Sequence, residues 1–372
     1  MIAKNLVNGS SITLSPAFSY HRGSESPPKE VGFSFPFGVA YEAHSSTAIQ
    51  PSGSRLREIA GRTKTSPLKI PAERKEDVLS VLIRVLVIAV VQAGGSLAHA
   101  DDPVSAPAAA LRAKYAALQE QLDHSQFQKP LYLDSTETGD RLQGELYGVL
   151  DDSFASARNS LKLASQWCDI LALHLNVKDC RVSNAASPTT ISVYVGGKHD
   201  EPSTVVSHLD YAYRVAIDTS EYFQILLTAR SGPLGTSNYK ILLEATPLDR
   251  RRTFFHLSYG YAVGAAARVA MATYLHSLGR EKVGFTVLER KPDGSPAYVR
   301  GVRGAIERNV MRYYFALVAY LSSRNLPPHE QLEVRLRDWF AFTERHSLQL
   351  HELEQSEYLD MKRRQYQQAN GR

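Results

Sequence analysis

The feature that most constrains this chain is a succession of short alternating apolar runs closed by one long amphipathic helix. Arg141–Leu150, RLQGELYGVL, places Leu142, Gly144, Leu146, Gly148 and Leu150 on one face, the two-residue period of a half-buried strand. Further strand signals fall near 180–183, 189–196, 205–218, 222–230, 239–247 and 253–261, with turn residues between them, as in Ser231-Gly232-Pro233 and Leu248-Asp249-Arg250. The period then changes. Residues 262–278 read as a small-residue helix ended by Gly279. Residues 282–290 and 297–302 read as two strands around Pro292-Asp293-Gly294-Ser295. Residues 304–323 form the closing helix, with Ile306, Val310, Tyr313, Tyr314, Leu317 and Leu321 on its apolar face.

Other helices flank this pattern. Residues 109–124 repeat Leu111, Tyr115, Leu118 and Leu122 at helical spacing, and Lys129-Pro130 ends the run. Asp151-Asp152-Ser153 supplies an N-cap for a helix through Phe154, Leu161 and Leu163. Pro327-Pro328 is expected to stop the domain, leaving a helical tail over 329–368 with Leu332, Leu336, Trp339, Phe340 and Phe342 early and mostly charge later.

Residues 78–100, VLSVLIRVLVIAVVQAGGSLAHA, follow four charged residues and end in Ala98-His99-Ala100, the order of a secretory signal peptide. Competing readings are a membrane anchor and a core helix. Arg84, Gln92 and two glycines count against the anchor, and Gly94-Gly95-Ser96 with the A-x-A site counts against the core helix. The expected mature N-terminus is Asp101 and the expected compartment is the periplasm. Residues 1–77 are rich in Ser, Pro and Gly and show no sustained period, so they read as an over-extended translation start or a disordered leader. The segments that follow are 101–130, a helical lead; 131–326, the main domain; and 327–372, the tail.

Charge follows the same division. Residues 1–100 hold 11 Lys and Arg against 7 Asp and Glu, whereas 101–372 hold 32 against 31. The overall +5 therefore gives no reason to expect nucleic acid as a partner. The two cysteines, Cys168 and Cys180, are expected to form a disulfide in an exported chain, the alternative being two separate buried thiols. No metal-type cluster, phosphate loop or nucleophile elbow occurs in the sequence, so no metal and no cofactor is implied.

Over residues 142–323 the chain resembles the START-related, polyketide-cyclase-like (SRPBCC) superfamily. The strand at 142–150, the Asp151-Asp152-Ser153 helix start, Trp167 after that helix and the closing helix 304–323 carry the resemblance. It implies an α+β helix-grip fold, a curved antiparallel β-sheet gripping a long C-terminal helix, here with an extra helix at 262–278 and a helical tail. It also implies a cavity between sheet and helix for a hydrophobic or amphipathic small molecule such as a lipid, and no particular reaction.

The ligand-binding candidates are Trp167, Tyr211, Tyr213, Tyr259, Tyr261, Tyr313 and Tyr314, with Phe255 beside them, against the alternative that they simply pack the core. Arg303, at the start of the closing helix, could receive an anionic head group or be plain surface charge. His174, inside Leu173-His174-Leu175, and His208 with Asp210, two apart on one strand face, are the weak candidates for a catalytic base. Their bland readings are a hydrogen-bonded core histidine and a solvated outer face. The resulting expectation is an exported binder of a hydrophobic small molecule. The alternatives are an enzyme of the same fold and an envelope interaction protein with a filled core. Peripheral membrane contact and oligomeric state stay open.

Overall fold

Alternation along the strands produces one eight-stranded sheet. The computed structural model describes residues 32–35, 39–42, 105–185, 187–198, 206–276 and 280–371. The expected signal at 78–100 lies outside them. Among the described residues a two-stranded hairpin, β1 (Gly32–Phe35) with β2 (Val39–Glu42), comes first. Helices α1 (Ser105–Ala117) and α2 (Gln119–Asp123) follow, then β3 (Leu131–Thr138) and β4 (Arg141–Leu150). Helices α3 (Phe154–Asn159) and α4 (Ala164–Leu171) lead to β5 (Val177–Ser183), β6 (Thr190–Val195), β7 (Ser207–Asp218), β8 (Phe223–Ser231), β9 (Thr236–Pro247) and β10 (Thr253–Val263). The remainder is α5 (Ala265–His276), β11 (Val287–Arg290), β12 (Pro296–Tyr298), α6 (Gly301–Ser323), α7 (Pro328–Glu344), α8 (Ser347–Leu350) and α9 (Gln355–Asn370).

The large sheet runs β3-β4-β10-β9-β8-β7-β6-β5, with antiparallel neighbours throughout. Its inner face holds α6, the helix-grip arrangement expected from the resemblance. Strand β3 was missing from the sequence reading; it begins directly after Pro130 and buries Leu131, Leu133 and Ser135 on one face. Strand β10 is buried on both faces. Phe255, Leu257, Tyr259 and Tyr261 point inward, while Phe254 joins Leu111, Leu118, Leu122 and Tyr222 in a second cluster under α1 and α2. Gly148 lets β3 and β10 close around it: a Cβ there would lie 2.4 Å from Leu131 Cδ2 and 2.8 Å from the Phe255 ring.

Helix α6 is not amphipathic in its setting. Every residue from 304 to 317 is buried, because the tail covers the face turned away from the sheet. Trp339 Nε1 donates to the Arg312 carbonyl (3.1 Å), and Tyr358 Oη donates to the Leu173 carbonyl (2.8 Å). Lys362 Nζ donates to the carbonyls of His174 and Val177, both at 2.7 Å. Pro327-Pro328 thus opens α7 instead of ending the packed body.

The strands expected at 282–290 and 297–302 shrink to β11 and β12, a separate two-stranded ribbon, and the helix expected from Gly304 already begins at Gly301. A buried carboxylate explains the shortening. Glu307 Oε2 accepts from the backbone N–H of Phe285 (2.6 Å) and Thr286 (2.9 Å). Its Oε1 accepts from Ser135 Oγ (2.6 Å) and Thr286 Oγ1 (2.7 Å). Those backbone donors are committed to α6 and cannot join a ladder. Gly284 permits the approach, since a Cβ there would fall 2.5 Å from Glu307 Oε2. Among the described residues no helix is long and apolar enough to cross a membrane.

The gripped helix yields a stability prediction. Leu317 is 2% exposed. Leu317→Ala should cost about 2–5 kcal/mol, from lost transfer energy and the cavity left behind. Chemical denaturation of both proteins measures this; a variant as stable as the parent would mean the helix is not held as described.

Candidate functional site

The inward residues of β7, β9 and β10 meet α6 in a layer of aromatic rings. Tyr239 stacks on Tyr261 (ring centroids 5.3 Å) and meets Tyr211 edge-on (6.4 Å). Tyr259 lies 5.8 Å from Tyr261 and 5.2 Å from Tyr313, and Tyr313 lies 5.1 Å from the His174 ring. Burial raises the pKa of each of these phenols. Tyr213 shares the inward face of β7 with Tyr211, and Trp167 Nε1 donates to the Leu161 carbonyl at 2.8 Å. The candidates Trp167, Tyr211, Tyr213, Tyr259, Tyr261 and Tyr313 are thus all buried in the main hydrophobic core. Between sheet and helix, where the resemblance implies a cavity, Tyr313 packs against His174 and Tyr259.

His174 sits at the end of this layer, 1% exposed. Its Nδ1 accepts from the Asn176 N–H (3.2 Å), which places the ring proton on Nε2, and Asn309 of α6 lies near the ring. Burial, with Arg312 and Lys362 nearby, pushes its pKa well below 6.5. The ring is neutral and fixed by the protein. His208 and Asp210 lie on the outer face of β7, exposed and 3.7 Å apart, and Ser192 Oγ donates to Asp210 at 2.6 Å. The serine bonds the carboxylate and not the imidazole, so no nucleophile–base pair forms there.

A more tightly built polar group occupies the outer face under α1. His256 Nδ1 bonds Glu244 Oε1 (2.8 Å), its Nε2 bonds Glu145, and the ring stacks on Tyr147 at 4.2 Å. Burial pulls the imidazole pKa down, but the hydrogen bonds and charges of the two carboxylates outweigh it and hold the ring above its ordinary 6.5. For Glu244, burial pushes upward, and the bonds from His256 and Tyr222 prevail and hold it below 4.5. A raised imidazole pKa adds stability below its unfolded value and loses it as pH rises through the folded value; a depressed carboxylate loses its part as pH falls through its own. His256→Gln should therefore be most destabilising between pH 4.5 and 6.5, with the deficit shrinking above neutrality. Urea melts across pH read this directly. A deficit independent of pH would show that the histidine carries no charge there.

Cys168 and Cys180 are disulfide-bonded, tying α4 to β5 with Cα atoms 5.4 Å apart. The bridge lines a groove of about 360 Å³ between α4, β5 and the tail helices, with Leu332, Leu336, Arg335 and Lys362 on its other wall. Arg303 Nε donates to Ser135 Oγ (3.2 Å), so it lies beside the Glu307 anchor at the foot of the ribbon.

A larger cleft lies on the tail side of α6. It has a volume of about 610 Å³ and an apolar floor of Phe127, Leu131, Tyr314, Phe315, Val318 and Phe342. Lys129, Arg345 and His346 stand at its rim with Gln126 and Gln128. Tyr314 stacks on Phe255 at 5.7 Å and passes the order of the sheet to the cleft, while Phe315 stacks on His346 at 5.6 Å. Burial, then the charge of Arg345, lowers the His346 pKa, leaving the permanent positive charge to Arg345 and Lys129. Of the ligand residues expected from sequence, Tyr314 lines this cleft. Phe127, Phe315, Arg345 and His346 were missed, since their convergence depends on where the tail folds back.

No family model and no curated protein matches the sequence. Among solved structures the chain is similar to the ZhuI aromatase/cyclase from Streptomyces sp. R1128, at 12% identity over 49% of this chain and 92% of that one, with a TM-score of 0.31. It is similar to human StAR-related lipid transfer protein 5 at 10% identity over 48% and 93%, with a TM-score of 0.25. It is also similar to norcoclaurine synthase from Thalictrum flavum at 12% identity over 47% and 94%, with a TM-score of 0.26.

Proposed function

We propose that the protein binds a hydrophobic or amphipathic small molecule, with the apolar body on the floor formed by Tyr314, Phe315, Val318 and Phe342 and a negative end at Lys129 and Arg345. The observation that carries this reading is the cleft itself: about 610 Å³, apolar below and cationic at the rim, within the size range of small-molecule sites. The packed tyrosine layer favours cargo beside α6 over cargo beneath the sheet. A lipid is one molecule of this class.

The anionic fluorophore 1-anilinonaphthalene-8-sulfonate tests the reading. The parent should bind it, and Val318→Trp, which fills the floor, should weaken binding about tenfold or more. Arg345→Glu with Lys129→Glu should weaken the anionic probe and leave a neutral naphthalene probe unchanged. Equal binding by parent and Val318→Trp, with both folded by thermal melt, would contradict the assignment.

We also propose that the chain is exported. The order of residues 78–100 and the Cys168–Cys180 bridge support this, since structural disulfides persist in oxidising compartments. Mass-spectrometric mapping of protein recovered from the periplasm should find Asp101 as its first residue. A first residue before Val78 in that fraction would refute the export signal.

A further inference from the structure

The β11–β12 ribbon stands apart from both hydrophobic clusters, yet its foot is fixed. All four residues of β11 are exposed, with Leu288 at 60% and Val287 at 37%. An isolated two-stranded ribbon is marginal in water, and here the Glu307 carboxylate clamps its root through Phe285 and Thr286. Across a second cleft from β12 lies Leu348 of α8, 63% exposed.

Charge surrounds these apolar points. The exposed cations Arg280, Arg290, Lys291 and Arg300 of the ribbon region, with Lys129 and Arg345 at the cleft rim, outnumber the exposed carboxylates Glu281, Glu289 and Asp293. The surface is continuous with the proposed binding cleft. Arg345 and His346 line both that cleft and the adjoining one beneath Tyr298, and Tyr298 and Leu348 line the next, beside the ribbon.

The geometry points to this face, the β11–β12 ribbon with Leu348 and the surrounding cations, as the surface that docks the protein on an anionic lipid bilayer. The inference rests on the amphiphile reading of the neighbouring cleft and names where such a molecule would enter. Separate apolar prominences among arginine and lysine suit insertion into the interfacial region of a bilayer, where the apolar tips leave water and the cations meet anionic head groups. A protein partner would be better served by a contiguous apolar core within a polar rim.

Co-sedimentation with vesicles tests the docking. The parent should pellet with phosphatidylcholine vesicles containing phosphatidylglycerol, pellet less with phosphatidylcholine alone, and be released by added salt. Leu288→Ser combined with Leu348→Ser should weaken vesicle binding about tenfold, as should Arg290→Glu combined with Lys291→Glu. Both pairs should keep the parent's melting behaviour and its binding of 1-anilinonaphthalene-8-sulfonate. Val318→Trp should do the reverse, losing the probe and keeping the vesicles, so failure of the cleft reading is distinguishable from failure of the docking surface. A parent that stays in the supernatant with anionic vesicles would overturn the inference and leave the face to a protein partner. Variants that pellet like the parent would also overturn it.

Discussion

Helix α6 is buried from residue 304 to 317, and the charged groups it carries there have to be answered from other parts of the chain. Its apolar stripe, Ile306, Val310, Tyr313 and Leu317, meets the sheet as any gripped helix would. The opposite face carries Glu307, Arg308 and Arg312, and all three are buried. A buried unpaired charge is strongly destabilising, and the pairing of these groups shapes the rest of the molecule. Glu307 binds the root of the ribbon and Arg308 Nη1 donates to the Val283 carbonyl (3.1 Å). Arg312 reaches the Leu350 carbonyl (3.3 Å) and Glu352 (3.1 Å). Burial raises the Glu352 pKa, but Arg312, Lys282 and Lys198 overcome that and hold it below 4.5.

The same enclosure explains where a ligand fits. On the sheet side, stacked tyrosines and His174 occupy the grip. On the other side, the tail covers α6 at Trp339 and Leu350, and the space between α6, the end of α7 and the start of β3 is left as the cleft. The features that hold the helix and those that shape the cleft are therefore shared. Tyr314 belongs to both, stacked on Phe255 of β10 and lining the cleft floor.

Local sequence signals located what local physics governs. The alternation at 141–150 appears as β4, and the Asp151-Asp152-Ser153 start appears as α3, with Ser153 Oγ accepting from the Ser156 N–H at 3.3 Å. The closing helix follows from its apolar stripe. Strand β3 escaped because only its first half, Leu131 and Leu133, is clearly apolar in alternation. The charged face of α6 looked solvent-facing because nothing in its spacing announces that a later segment will cover it. Likewise the Glu145–His256–Glu244 group depends on register: His256 lies opposite Glu244 on β9, and Glu145 opposite Ser258 on β10. It exists only once β10 is placed between β4 and β9, an order that the sequence does not state.

The location of the bound molecule is the claim that most needs a direct readout. Hydrogen–deuterium exchange with and without saturating 1-anilinonaphthalene-8-sulfonate reports it by segment. Protection gained around 314–318 and 342–346, with the amides of β7, β9 and β10 unchanged, is the expected result. Protection confined to the strands bearing Tyr211, Tyr239, Tyr259 and Tyr261 would place the molecule beneath the sheet and contradict the assignment of the cleft.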